Sequence, residues 1–411
     1  MIPGYRSPHL PQRSATVVGW LTDPQRDPIA RTTAGWNADD WEAARWAIQV
    51  HGIGPLLHQA SERWLDAGAL HPHLQGYLAA QRRLSRERVA LLLGDLAEIA
   101  RACKDRGIDV LPLKGSQLAT QYYAEPGLRP MSDLDLLVRP ADERRMLALL
   151  TDLGYRQTGR GWKHITLARP EADGPVVSYD GEHPDNPRSI DLHIRLAEQF
   201  WGIQYDLTAE AWADSEPWAA ARRLRPAGLL HHLAVHASSD AIARRLRLLH
   251  LHDIALVARD VDRSGWERIV ASARSRREER MVYPALLLAS RSYPAMPGWA
   301  LAALRGGVPS DLLRYLDATQ LDQLSFCNQA PTRPADKLRW FRPGHERIGA
   351  LRHMLLPDPS ELGHWYPRLA RPGRLPLAYA CYGATLLGWG VRRALGQPRL
   401  TLGGRARQAR G

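Results

Sequence analysis

The 411-residue sequence has only three cysteines. Cys103, Cys327 and Cys381 are too scattered for a disulfide framework or a cysteine zinc site, which points to a reducing compartment. Long apolar runs are scarce as well. The N-terminal MIPGYRSPHLPQRSATVVGW has no unbroken apolar core and is punctuated by prolines, so it reads as neither signal peptide nor membrane anchor, and the expectation is a cytoplasmic protein. The longest uncharged run, 375–391, contains Pro376, Gly383, Gly388 and Gly390 and sits at the short limit for a membrane span. Its small-residue face of Ala380, Ala384 and Gly388 suits a helix buried or facing a partner, with peripheral membrane contact the lesser reading. Lysine is rarer still: of 55 Lys and Arg, only Lys104, Lys114, Lys163 and Lys337 are lysine. The formal charge of +12 is therefore arginine, and with abundant alanine it reflects nucleotide composition more than selection for an anionic partner. Nucleic acid is accordingly the lesser partner reading.

What is present is ordinary globular composition, 45% hydrophobic and 24% charged, over a length that suits two or three domains. The one stretch whose spacing makes a chemical statement is LPLKGSQLATQYYAEPGLRPMSDLDLLV, residues 111–138. A short apolar strand, Val110 to Leu113, runs into Lys114, Gly115 and Ser116. Leu118 and Tyr122 then fall four apart, so Gly115 and Ser116 open a helix whose unpaired N–H groups suit an anion. After Pro126 and Gly127, residues 132–138 read as a strand. Side chains alternate along it, and Asp133 and Asp135 share one face while Leu134, Leu136 and Val138 share the other. Two carboxylates on one face of a buried strand need a cation, and hard oxygen ligands favour Mg²⁺, with Mn²⁺ as a substitute. A third carboxylate is available in the alternating run 189–195, where Asp191, His193 and Arg195 point one way. If that strand lies beside the first, Asp191 completes a three-carboxylate cradle.

The ordered set of strand, Lys-Gly-Ser, helix, Asp-x-Asp strand and later strand Asp resembles the nucleotidyltransferase fold of the DNA polymerase β superfamily. More narrowly, LKGSQLATQYY, the Arg129 spacer, SDLDLLV and IDLHIRL resemble an uncharacterised bacterial branch found near genes for polysaccharides and lasso peptides. The resemblance implies an α+β protein that moves a nucleoside monophosphate from an NTP to a hydroxyl or phosphate of a peptide, sugar or small-molecule acceptor. Asp133 and Asp135 would hold the ion that grips the triphosphate and share a second ion with Asp191, which would also act as base. Lys114, Gly115, Ser116 and Arg129 would bind the phosphates, and His193 could approach the acceptor. The branch also carries a histidine and a later aspartate in its helical region, which implies that His236 and Asp253 line the cleft or tie the helices to the core. An RNA- or protein-modifying, toxin-like enzyme is the competing activity. A degenerate nucleotide- or nucleic-acid-binding protein is the non-enzymatic one.

Along the chain this gives a flexible leader over 1–30, a helical subdomain over 31–106, a nucleotidyltransferase core over 107–200, a helical domain over 201–300, and a helical to irregular region over 301–411 ending in a basic tail. Trp41, Ala44 and Ile48, then Leu91 to Ile99, set the helical period of the second segment, and Arg82, Arg83, Arg86 and Arg88 read as its solvated face. A helix over 141–153 and a strand over 162–167 follow. Residues 170–188 read as a loop or loose hairpin. His232 and His236 fall four apart, with His252 and Asp253 a helix later, but the glutamate of the zinc-protease pattern is missing. Core histidines satisfied by hydrogen bonds explain that spacing better than a metal does.

Overall fold

The computed structural model describes residues 7–23, 29–62, 72–169, 183–326, 334–366, 369 and 373–394. The chain divides into one unit of Met1–Glu198 with Gln204–Gln329 and another of Gln199–Ile203 with Ala330–Gly411. In the first unit the segment expected as a flexible leader contains helix α1 (Leu10–Thr22), with Leu10, Val17 and Trp20 buried. Helix α2 (Ala38–His51) opens with a capping box in which Asn37 and Asp40 satisfy each other's backbone N–H groups, and it ends on Gly52 at φ +69°, the left-handed turn glycine permits. The long helix α3 (Pro72–Asp105) follows.

Strand β1 (Val110–Pro112), helix α4 (Gly115–Gln121), strand β2 (Asp133–Val138) and helix α5 (Glu143–Asp152) lead into strands β3 (Arg156–Arg160), β4 (His164–Arg169) and β5 (Arg188–His193). They form one sheet in the order β1-β2-β5-β4-β3. Neighbours are antiparallel except the central pair, where β2 runs parallel to β5. The alternating side chains Leu134, Leu136, Ile190 and Leu192 are fully buried and pack with Val89, Leu92, Leu96 and Ile99 of α3 and Met146, Leu149 and Leu150 of α5. One face of the sheet is thus sealed by helices, and the aspartates take the other.

Two polar ties on α3 fix the sheet. Arg88, expected in a solvated face, is 1% exposed. Its guanidinium donates to the carbonyls of Ser132, Asn186 and Pro187, the residues that lead into β2 and β5. Asp95, also buried, takes Arg169 and Arg188 and the hydroxyl of Tyr155.

Beyond the sheet, helix α6 (Pro226–Ala243) ends at Arg244 in the left-handed conformation, φ +57°, and helix α7 (Leu248–Ala258) follows at once. Both are apolar nearly all round, as helices inside a core are. In the second unit, the helix Leu375–Ala394 buries Ala378 and Tyr382 and leaves Ala380, Ala384 and Gly388 exposed, so among the described residues the small-residue face is not buried within the chain. Among the described residues no helix is long and apolar enough to cross a membrane. Residues 170–182 of the expected loop and the basic tail lie outside the described residues.

Candidate active site

The parallel register of β2 and β5 sets Asp133 opposite Ser189 and Asp135 directly opposite Asp191. Period-2 alternation then puts all three carboxylates on the face that α3 and α5 leave open. They line one cavity of about 240 Å³ together with Lys114, Gly115, Arg129, His236 and His250. The antiparallel strand on the far side pairs Thr166 with Asp191 and His164 with His193. Thr166 donates its hydroxyl to Asp191 Oδ1 at 2.8 Å, and His164 Nε2 stands 3.5 Å from Asp191 Oδ2.

The carboxylates are not equivalent. Burial would raise Asp135, yet the Lys114 ammonium and His193 hold it well below the ordinary carboxylate range; Lys114 Nζ and His193 Nε2 both lie 2.9 Å from Asp135 Oδ1. Asp133 goes the other way. Burial first, then the charges of Asp135 and Asp191, push its carboxyl up to about 7 against the pull of Lys114. Asp135 in turn holds Lys114 protonated, above its usual value in spite of burial. Three carboxylates around one lysine leave an excess of negative charge in a dehydrated pocket, which is the electrostatic condition for binding a further cation.

The turn from β1 into α4 is strained. Lys114, a non-glycine residue, has φ +45° and ψ −116°, a conformation that costs on the order of 1–3 kcal/mol and survives only where the surroundings enforce it. Packing by itself requires glycine at 115: a Cβ there would stand 2.6 Å from Arg129 Nη1 and 3.0 Å from Met131 Cγ. Ser116 is buried and donates to the carbonyl of Leu113. It does not line the cavity.

Arg129 lines the cavity at one edge and is clamped from behind. Its Nη2 and Nε donate to Asp253 Oδ2 at 2.8 and 3.1 Å, and Tyr123 donates its hydroxyl to Asp253 Oδ1 at 2.6 Å. Asp253 is fully buried, so it ties α7 to the loop before β2 and does not face the cavity. His236 does face it, with Nδ1 3.2 Å from Glu198 Oε1.

The sequence reading missed Arg88, Thr166, Glu198, Asp240 and His250. Thr166 carries no local signal, because it matters only through cross-strand pairing. His250 lies in the same LHLHD run as the singled-out His252. Two residues along a helix turn the side chain by about 200°, and it is His250 that reaches the cavity while His252 turns to Tyr293.

The family described as "Uncharacterised nucleotidyltransferase" matches residues 37–294. No curated protein matches the chain. The solution structure of the antibiotic-resistance factor ANT(2'')-Ia aligns at 15% identity over 46% of this chain and 94% of that one, with a TM-score of 0.33, a likeness too weak to carry an argument.

Proposed function

Because the chain belongs to this family of uncharacterised nucleotidyltransferases, we propose that residues 107–200 are a polymerase β-like core that moves a nucleoside monophosphate from an NTP to an acceptor hydroxyl or phosphate. The helices on either side would shape a pocket for a peptide, sugar or small molecule. One observation supports this most: Asp135 opposes Asp191 in a parallel register, with Asp133 on the same face and all three lining one cavity.

The donor set fits Mg²⁺. Asp133 and Asp135 offer hard oxygens, and the rise of Asp133 to about 7 marks a cradle short of positive charge. Asp133, Asp135 and Asp191 are the residues that would hold it, and when bound it would neutralise the triphosphate and polarise the α-phosphorus.

The protein's own groups do the rest. Thr166 occupies Asp191 Oδ1 and leaves Oδ2 to accept the proton of an acceptor hydroxyl. The acceptor oxygen forms its bond to the α-phosphorus as the bridging α–β P–O bond breaks, and pyrophosphate departs with that electron pair. Lys114 and Arg129, beside the aspartates, are the cations placed to meet the charge growing on the leaving group, and Arg247 lines the same cavity. His193 holds Asp135 in place through Oδ1.

Incubation of the protein with each α-labelled NTP, Mg²⁺ and a lysate of its source cell, read by mass spectrometry, should reveal the labelled acceptor. Asp133→Asn and Asp135→Asn should reduce labelling and pyrophosphate release to background in proteins that still fold, as read by circular dichroism. A folded Asp135→Asn protein that still releases pyrophosphate at the wild-type rate removes the proposal.

A further inference from the structure

The cavity has a second polar wall that the nucleotidyltransferase reading does not use. His236 and Asp240 are one helical turn apart on α6 and so share a face. The left-handed Arg244 reverses the chain, and α7 brings His250 back beside them. One ligand atom from each of these three residues lies within 4.8 Å of the others. Asp240 Oδ2 is 3.4 Å from His236 Nε2 and 3.5 Å from His250 Nδ1. These separations are longer than an ordinary N–H···O hydrogen bond. They match a different geometry: two ligand atoms each about 2.1 Å from a tetrahedral ion stand about 3.4 Å apart.

Two further observations point to a ligand. His250 Nδ1 is buried without a hydrogen-bond partner, a state polar atoms seldom keep unless something else fills the site. His236 is oriented as metal-bound histidines are: its Nδ1 faces Glu198 Oε1 at 3.2 Å, leaving the Nε2 lone pair toward Asp240. Glu198 is itself fixed by Lys163 at 2.8 Å and by Ser239. A carboxylate behind the ligating imidazole is the usual outer partner of such sites.

We propose that His236 Nε2, Asp240 Oδ2 and His250 Nδ1 form a zinc-class divalent-ion site distinct from the three-carboxylate cradle. Two imidazoles and one carboxylate select zinc over magnesium. Three protein ligands leave a fourth position for water or another ligand, and both histidines line the cavity. The site stands whether or not the chain transfers nucleotides.

The test uses tag-free, full-length protein stripped with a chelator. Zn²⁺ is titrated against a competing chromophoric chelator, and Co²⁺ is added in parallel to read its visible absorption. Wild type should take one zinc per chain and give the intense Co²⁺ bands of a tetrahedral site. Asp240→Asn, which keeps size and shape, and His250→Ala should each abolish both signals. Glu198→Gln should weaken zinc by about 10–100-fold, the usual cost of losing an outer-shell partner. Asp133→Asn and Asp135→Asn should bind zinc as wild type does. Wild type that takes up no zinc would overturn the site. Uptake unchanged in folded Asp240→Asn, or lost in folded Asp135→Asn, would overturn it equally.

Discussion

At the scale of single residues, the pair Arg129–Asp253 shows how a motif residue can be readable while its job is not. The position of Arg129 between Lys-Gly-Ser and Asp-x-Asp is visible in the sequence, but its partner lies 124 residues further on. Both groups are buried, so removing one strands the other's charge. Arg129→Ala should destabilise the protein by about 3–5 kcal/mol, read as a lowered denaturant midpoint, and Asp253→Asn should lose less because it stays a hydrogen-bond acceptor. A loss of activity in Arg129→Ala with an unchanged midpoint would mean that the pair is not formed. Gly115 depends on the same clamp. Its added Cβ would meet Arg129 Nη1 at 2.6 Å, and a guanidinium held by Asp253 cannot step aside cheaply. Gly115→Ala should therefore cost about 1–3 kcal/mol, and the cost should shrink in an Arg129→Ala background. Equal costs in the two backgrounds would place the strain elsewhere.

At the scale of elements, alternation made both aspartate strands legible, and their residue ranges in the sheet agree with the pattern closely. Strand β3 was not legible. Arg-Gln-Thr-Gly-Arg has no apolar face, since four of its five residues are exposed, so no period-2 signal exists to read. Helix α1 was hidden for another reason: the prolines that punctuate it look like breakers, yet Pro11 sits in the first turn, where proline fits. Arg88 was misread because composition says nothing about which arginine of a run turns inward. Its guanidinium serves the carbonyls just ahead of both aspartate strands, and its loss leaves three acceptors without their donor, that of Asn186 buried and those of Ser132 and Pro187 partly so, each worth up to about 1–3 kcal/mol. Arg88→Leu should lower stability by about 3 kcal/mol or more and should impair turnover even under conditions where the variant is folded, because Asp133 and Asp191 lose their common anchor. Arg83→Ala, on the exposed side of the same helix, is the matched control and should do neither.

At the scale of the whole molecule, some arginines are held in largely buried ion pairs, Arg13–Asp40 and Arg280–Glu278 among them. Acid should act on this protein through buried neutral histidines as well as through its net positive charge. His51 accepts the backbone N–H of Leu248 at Nδ1 and meets the Ser14 hydroxyl at Nε2, so it joins α1, α2 and α7 without a charge. Burial, with Arg247 nearby, lowers it to about 3, and burial lowers His231 to about 4. The unfolded chain takes up these protons near 6.5 and the folded one does not. Stability therefore falls as pH drops below 6.5, by about 1.4 kcal/mol per pH unit for each such histidine. Asp133 has the opposite sign: raised to about 7, it takes up its proton in the folded state first and adds stability as pH falls from 7 toward 4. Between pH 6.5 and 5, above the ordinary carboxylate range, the two histidines should outweigh the one aspartate. In metal-free buffer, His51→Gln should flatten the decline and Asp133→Asn should steepen it, each by about 1.4 kcal/mol per pH unit. Denaturant midpoints measured across that window would show this, and parallel curves for wild type and His51→Gln would mean that His51 is not held neutral.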